Sequence, residues 1–326
     1  MLARDLYKNA LNSFLLEFFT KTDGKDREEY AFIKNISPEN SRSKHDYLKD
    51  PIFLSEFFRS KEFLVQDPIS IIQNSGSTTV FTTAGIQILE DAVHREGPIP
   101  IDKIFVSQPV VRTQFIDSVC DGTSISFVNL STVIANSTHE QHFNALSDWF
   151  SLFDILGFNK ELFRFYHKET EPKWGSKIFK NGVIKIEYNN IQIGDAVYIY
   201  DIPQNTRQNL MISDIGFGLE RLRWMLSTGE YGDQFGIKGQ YTPPTDIIRT
   251  LSLFAGSGLL PSNQGAGYRF RQISKKLNEC YKEDVLIEKK IFSNFYHDWS
   301  LWTQLPTHLD DALEVFLAEN KRNLIS

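Results

Sequence analysis

The stretch Ile212–Leu226, ISDIGFGLERLRWML, concentrates residues suited to phosphate chemistry. An acid, Asp214, precedes two glycines, Gly216 and Gly218, and Arg221 follows them. The pattern predicts a strand end, a glycine turn and a helix. From Leu219 on, Leu219, Leu222, Met225 and Leu226 fall on one helical face, with Glu220, Arg221 and Arg223 elsewhere. The glycines let the backbone bend and let another group come close. A triphosphate could meet backbone N–H groups and a guanidinium at such a helix start. The same residues also fit an ordinary helix start with a surface arginine.

Four other positions carry candidate chemistry. Arg112 is the only charge in IFVSQPVVRTQF. A guanidinium among valines and phenylalanine is paired or bound to something, because an isolated buried charge is costly. The alternative is an edge residue pointing to water. Asp195 falls mid-run between Gly194 and Ala196. Small neighbours leave room for a ligand, although a β-bulge gives the same pattern. His139 and His142 lie three apart in a helical run, but no third metal ligand is indicated nearby, so solvated or capping histidines are expected.

The elements that must position these groups follow from periodicity. Residues 2–20 and 137–158 read as amphipathic helices, the second with Trp149, Phe150 and Phe153 as core candidates. Residues 35–50 read as an exposed loop and 51–64 as a helix with an aromatic face. Thr78–Phe81 reads as a strand, with helix from about Ala84. Ile104–Phe115 is strand-like but carries Pro109, which argues for an edge or a bend. Ile125–Ile134 is a second strand, so Arg112 and Phe127 lie on two strands joined by a loop. Val183–Tyr188 and Ile191–Tyr200 read as a hairpin around Asn189–Asn190. Residues 231–244 are rich in Gly, Gln and Pro, and a boundary is expected there. Beyond it come a helix at 245–254, a glycine-rich turn leading into a basic helix (Arg269, Arg271, Lys275, Lys276), and a mostly helical tail. The four cations suit a phosphate backbone or simply a solvated face.

Composition sets the frame. The 326 residues suffice for one large and one smaller domain. With 41% apolar and 23% charged residues the chain is an ordinary globular protein, and 26 phenylalanines predict a thick aromatic core. A net charge of −6 argues against a general nucleic-acid coat. Two distant cysteines, Cys120 and Cys280, give no disulfide framework and no four-cysteine zinc site, which makes a reducing cytoplasm the expected compartment. No apolar run is long enough for a membrane span, and the N-terminus lacks the apolar core of a signal peptide.

Four stretches, VFTTAGIQ (Val80–Gln87), SQPVVR (Ser107–Arg112), SDIGFGLERL (Ser213–Leu222) and LLPSNQGAGYRFRQI (Leu259–Ile273), together resemble the alanyl-tRNA synthetase family of class II aminoacyl-tRNA synthetases. The resemblance implies an α+β fold: an antiparallel catalytic sheet flanked by helices over residues 1–238, then a small helical domain over 239–326. It also implies a reaction, in which an amino acid and ATP give aminoacyl-adenylate and pyrophosphate, with Mg²⁺. On the family's pattern Arg112 binds the ATP α-phosphate and the reacting carboxylate. Phe127 stacks on adenine, and Arg221 grips the γ-phosphate beside Gly216 and Gly218. Asp214 holds the α-ammonium group, and Asp195 lies near both substrates as a possible Mg²⁺ ligand.

The departures are informative. A tryptophan that usually walls the alanine pocket aligns with Gly194, which implies a larger pocket and a substrate other than alanine. A family acid aligns with Gln192, and the basic, His-rich motif 2 loop becomes IDSVCDGTSISFVN, with Asn129 at the usual glutamate. No stretch resembles the family's editing domain or its oligomerising domain. The expectation is a stand-alone activating ligase, passing its aminoacyl group to tRNA, a carrier protein or a small molecule, more in keeping with biosynthesis than with translation. A catalytically impaired paralogue that binds ATP, amino acid or RNA, a minimal tRNA-aminoacylating enzyme, and a partner subunit of another synthetase are the alternatives.

Overall fold

A computed structural model describes residues 3–22, 29–32, 44–73, 77–94, 103–201, 211–227, 229–237, 241–280 and 285–325. The elements run α1 (Ala3–Phe18), β1 (Phe19–Thr22), β2 (Glu29–Phe32), α2 (Pro51–Ser60), β3 (Leu64–Gln66), α3 (Glu90–His94), β4 (Lys103–Val111), β5 (Ser126–Ala135), α4 (His139–Leu156), β6 (Phe163–Thr170), β7 (Lys173–Trp174), β8 (Lys177–Ile178), β9 (Lys180–Tyr188), β10 (Ile191–Asp201), β11 (Ile212–Gly218), α5 (Leu219–Leu226), α6 (Pro243–Gly256), α7 (Gly265–Cys280), α8 (Val285–Ser300) and α9 (Leu309–Ile325). Nine strands form one sheet in the order β1-β2-β6-β9-β10-β11-β5-β4-β3. The fold is α+β, with a large, mainly antiparallel sheet flanked by helices; β3 pairs with β4 in parallel.

The chain divides into two compact units. The first comprises residues 1–66, 85–106 and 129–226; the second comprises 67–84, 107–128 and 227–326. The expected boundary at 238/239 falls among residues 238–240, outside the described residues, as does most of the loop expected at 35–50, of which residues 44–49 form a 3-10 helix.

In the first unit, α1 and α4 cover one sheet face. Thr138 opens α4 with a reciprocal capping box: its hydroxyl accepts the Gln141 N–H, and the Gln141 side chain accepts the Thr138 N–H. Gly157 closes α4 at φ 80°, the left-handed conformation that glycine adopts without strain. The expected aromatic core lies beneath this helix. The Trp149 ring meets Phe217 at 4.6 Å and Phe58 at 4.7 Å, and Phe153 meets Phe217 at 4.9 Å. The β9–β10 hairpin turns at Asn189 and Asn190, with φ of 50° and 63°, as a two-residue turn of this hand requires.

In the second unit α6 is buried over almost its whole length, with α7, α8 and α9 around it. The Phe81 ring stacks on Phe254 at 4.8 Å. Thr78–Phe81, expected as a strand, forms bends and a single bridge between Phe81 and Ile72. The segment expected to be helical from Ala84 begins as a 3-10 helix at Gly85–Leu89. Pro109 lies inside β4, past the point where β3 ends. Alongside it, the Gln108 amide accepts from the Ile69 N–H at 2.9 Å and donates to the Ile69 carbonyl at 3.0 Å. A side chain thus supplies the backbone-like pairing that a neighbouring strand would have given.

Candidate active site

Strand register assembles a polar face in the first unit. Asp195 lies opposite Gly216, which lies opposite Ser131; Val197 lies opposite Asp214, which lies opposite Val133. Directly opposed residues project to the same side of a sheet. Asp195, Asp214 and Ser131 therefore share one face, and Lys185, opposite Asp195 on β9, joins them. The Ser131 hydroxyl donates to Asp214 Oδ1 at 2.9 Å. A hydroxyl bond of this kind fixes the orientation of the carboxylate.

A bulge in β10 aligns the next residue. The pairing shifts between Gln192 and Gly194, so Gln192 opposes Glu187 and Asp195 opposes Lys185. The inserted residue puts Gln192 and Asp195, three apart in sequence, on the same face. Lys185 Nζ donates to Gln192 Oε1 at 3.2 Å. Arg221 leaves the first turn of α5, and its Nη1 donates to the Gln192 carbonyl. Gln192 thus links Arg221 to Lys185 through its backbone and its side chain.

The glycines of Ile212–Leu226 are not in a turn. β11 extends through Gly216 to Gly218, and α5 starts at Leu219. Strand pairing with both β5 and β10 holds this backbone extended. Gly216 has no side chain because a Cβ there would stand 2.8 Å from Asn129 Oδ1. The helical face also differs from expectation: Glu220 and Arg223 are buried with Leu219 and Leu222. Arg223 Nε donates to the Leu48 carbonyl at 3.1 Å, a partner far away in sequence.

Gly194 faces the opposite way from Asp195. It opposes Phe217, and a Cβ on it would run into the Phe217 ring and the Gly216 carbonyl. The Phe217 ring packs on Trp149 beneath α4. The absent side chain at 194 thus makes room for the helix-side core and does not widen a pocket beside Asp195, a correction to the expectation from alignment.

At the other end of the Asp195 face, Leu89, Val93, Val133, Ala135, Ile199 and Ile212 form an apolar cluster. The 3-10 segment crosses the sheet here so closely that a Cβ at Gly85 would collide with Ser131. One end of the face is closed by hydrophobic packing and the other is polar.

The second unit carries Arg112 and Phe127, and it brings them together. The Arg112 guanidinium lies over the Phe127 ring, 4.8 Å from its centroid, and Nε donates to the Thr83 carbonyl at 3.1 Å. Of the basic helix, Arg269 bonds the Gln272 side chain at 2.6 Å, Arg271 bonds Asn263 Oδ1, and Lys276 pairs with Asp117 at 3.0 Å. These three cations are engaged within the chain; Lys275 is exposed.

Among the described residues no group of three His, Cys, Asp or Glu side chains is placed to hold a metal. Asp195, with the neutral Gln192 on the same face, gives a donor set that suits Mg²⁺ carried mainly by substrate phosphates and water. His142 is fully buried with Nδ1 2.7 Å from the Ser213 hydroxyl, and burial pushes its pKa down to about 3. No described helix is long and apolar enough to cross a membrane.

Sequence reasoning missed Ser131, Lys185 and the Asn129 contact. Alternation alone could not find Lys185, because an unbulged hairpin about Asn189–Asn190 would have placed it opposite Gly194.

No family model matches the chain, and no curated protein sequence matches it. Among solved structures it is similar to PylSc, a pyrrolysyl tRNA synthetase of Desulfitobacterium hafniense, at 15% identity and a TM-score of 0.34. The match covers 52% of this chain and 62% of that one, less than two thirds of its length.

Proposed function

We propose that the chain is an ATP-dependent ligase of the alanyl-tRNA synthetase type, which activates an amino acid as its adenylate. One observation carries this: Asp214, held by the Ser131 hydroxyl, on the same polar sheet face as Asp195. A carboxylate oriented in this way suits a substrate α-ammonium group. Lys185 and Gln192 border Asp195 and give that side a polar lining, which favours a polar side chain over the methyl group of alanine.

In the reaction the substrate carboxylate oxygen attacks the α-phosphorus. The bond from that phosphorus to the bridging oxygen breaks, and the electron pair leaves with pyrophosphate. Arg112 binds the α-phosphate and the reacting carboxylate; its planar donor fork suits both and offsets charge that develops at phosphorus. Arg221 holds the γ-phosphate of the leaving group. Gly216 and Gly218, just ahead of Arg221 in the chain, belong to the ATP site, and the Phe127 ring stacks on adenine. When bound, Mg²⁺ would lower the charge of the leaving group, and Asp195 would be the residue to hold it. The aminoacyl group then passes to tRNA, a carrier protein or a small molecule. The net charge of −6 and the acids Asp117 and Asp121 in the loop after Arg112 favour the latter two, in a biosynthetic role.

Amino-acid-dependent ATP–pyrophosphate exchange across a panel of amino acids tests this. Exchange is expected with at least one, and Arg112→Ala and Arg221→Ala should each abolish it with an unchanged circular dichroism spectrum. Absence of exchange with every amino acid would overturn the proposal.

A further inference from the structure

The second unit contains a buried polar cluster that none of the roles above uses. α6 carries Asp246 and Arg249, both 0% exposed. Buried charges persist only when bonded, so their partners are informative. Asp246 Oδ2 accepts the Ile125 N–H at 2.7 Å, Oδ1 accepts the Tyr241 hydroxyl at 2.7 Å, and the Ser124 side chain bonds the same carboxylate. Arg249 Nη1 donates to the Ser126 carbonyl, and its guanidinium lies 4.2 Å over the Trp299 ring. The Ser126 hydroxyl is 2.9 Å from that of Thr250. Three consecutive residues, Ser124 to Ser126, are therefore fastened to α6.

Those residues border Arg112. The Ile125 carbonyl accepts the Arg112 N–H at 2.6 Å, and Phe127, two residues on, lies beneath the guanidinium. Ile125 is clamped on both sides, its N–H by Asp246 and its carbonyl by Arg112. We propose that Asp246 is a positioning residue for Arg112, acting through Ile125; this rests on the assignment of Arg112 as the phosphate-binding group. α6 then belongs to the activating machinery even though none of its side chains touches a substrate. Misplacing a binding group by about 1 Å costs on the order of a hundredfold in rate.

Two variants separate geometry from charge. Asp246→Ala removes the acceptor for Ile125 and is expected to lower kcat for pyrophosphate exchange by roughly ten- to a hundredfold. Asp246→Asn keeps an acceptor for Ile125 and can donate to the Tyr241 oxygen, so it should stay within about threefold of the parent. Phe292→Leu, in the α8–α9 packing, serves as a control for lost stability and should leave kcat unchanged. Equal losses in the alanine and asparagine variants would make Asp246 merely the counter-ion of Arg249 and overturn the inference. So would an unchanged Asp246→Ala, or an equal loss in a Phe292 variant of matched Tm. Hydrogen–deuterium exchange decides even if the parent protein activates no amino acid. Asp246→Ala should then speed exchange over residues 110–128 while 285–325 stays protected, and unchanged or uniformly faster exchange would overturn the inference.

Discussion

Gly194 and Gly216 sit on neighbouring strands, face opposite sides of the sheet, and lack side chains for different reasons. A Cβ at Gly194 would enter the Phe217 ring, and one at Gly216 would press on the Asn129 amide. Around the first lie Trp149, Phe153 and Tyr198, an aromatic layer sealed by α1 and α4. Around the second lie Asp195, Asp214, Ser131 and Lys185. The same strands form both environments, because successive side chains alternate. A position's role thus depends on its parity in the strand, and a bulge such as that at 192–194 resets parity. The apolar side should govern stability and the polar side activity.

The largest effect is expected on the apolar side. Trp149→Ala should cost about 3–5 kcal/mol in urea unfolding, because the indole fills the centre of the aromatic layer. If kcat/KM for the amino acid fell as far at a temperature where the variant is fully folded, the two sides would not be separable. Next comes the pH response of His142, also on the helix side. Its ordinary pKa of 6.5 falls to about 3 on burial, so the unfolded chain takes up a proton that the native state refuses. Its stabilising effect is complete above about 6.5 and is lost as pH falls toward 3, on the order of a few kcal/mol in all. His142→Gln should flatten that part of the stability curve, measured by urea unfolding at stepped pH. An equally steep curve in the variant would remove His142 as the cause.

Gly194→Ala should cost about 1–3 kcal/mol by overpacking against Phe217, with KM for the amino acid unchanged. A KM shift larger than the stability loss would return Gly194 to the substrate pocket. Ser131→Ala is the smallest and sharpest test. Loss of its bond to Asp214 should weaken amino acid binding by about 1 kcal/mol, seen in KM, with little change in Tm. A Tm loss without a KM change would make Ser131 structural.

Local patterns were legible because local chemistry decides them. The Asn189–Asn190 turn, the amphipathic spacing of α4 and the strand alternation of β10 all appear where expected. Arg112 and Phe127 meet, as two strands joined by a loop allow. The glycines of β11 misled, because a glycine that yields to a neighbour and a glycine that turns the chain are the same letter. Glu220 and Arg223 on α5, and Asp246 and Arg249 on α6, look like solvated charges. Each is buried. For Arg223, Asp246 and Arg249 the partners are Leu48, Ile125 and Ser126, which only folding brings near.

The sequence by itself determined the residue types and the order of the elements: an acid and an arginine about the end of β11, an acid within β10, an arginine at the end of β4, and helices after them. Tertiary structure decided which of these face one another. Register across β5, β11, β10 and β9, shifted by one bulge, set Asp195, Asp214, Ser131 and Lys185 on one face and turned Gly194 away. It also tied α6 to Ile125. Period and turn chemistry act within a few residues. Strand register and the pairing of buried charges are settled by contacts many residues apart, which spacing along the chain does not encode.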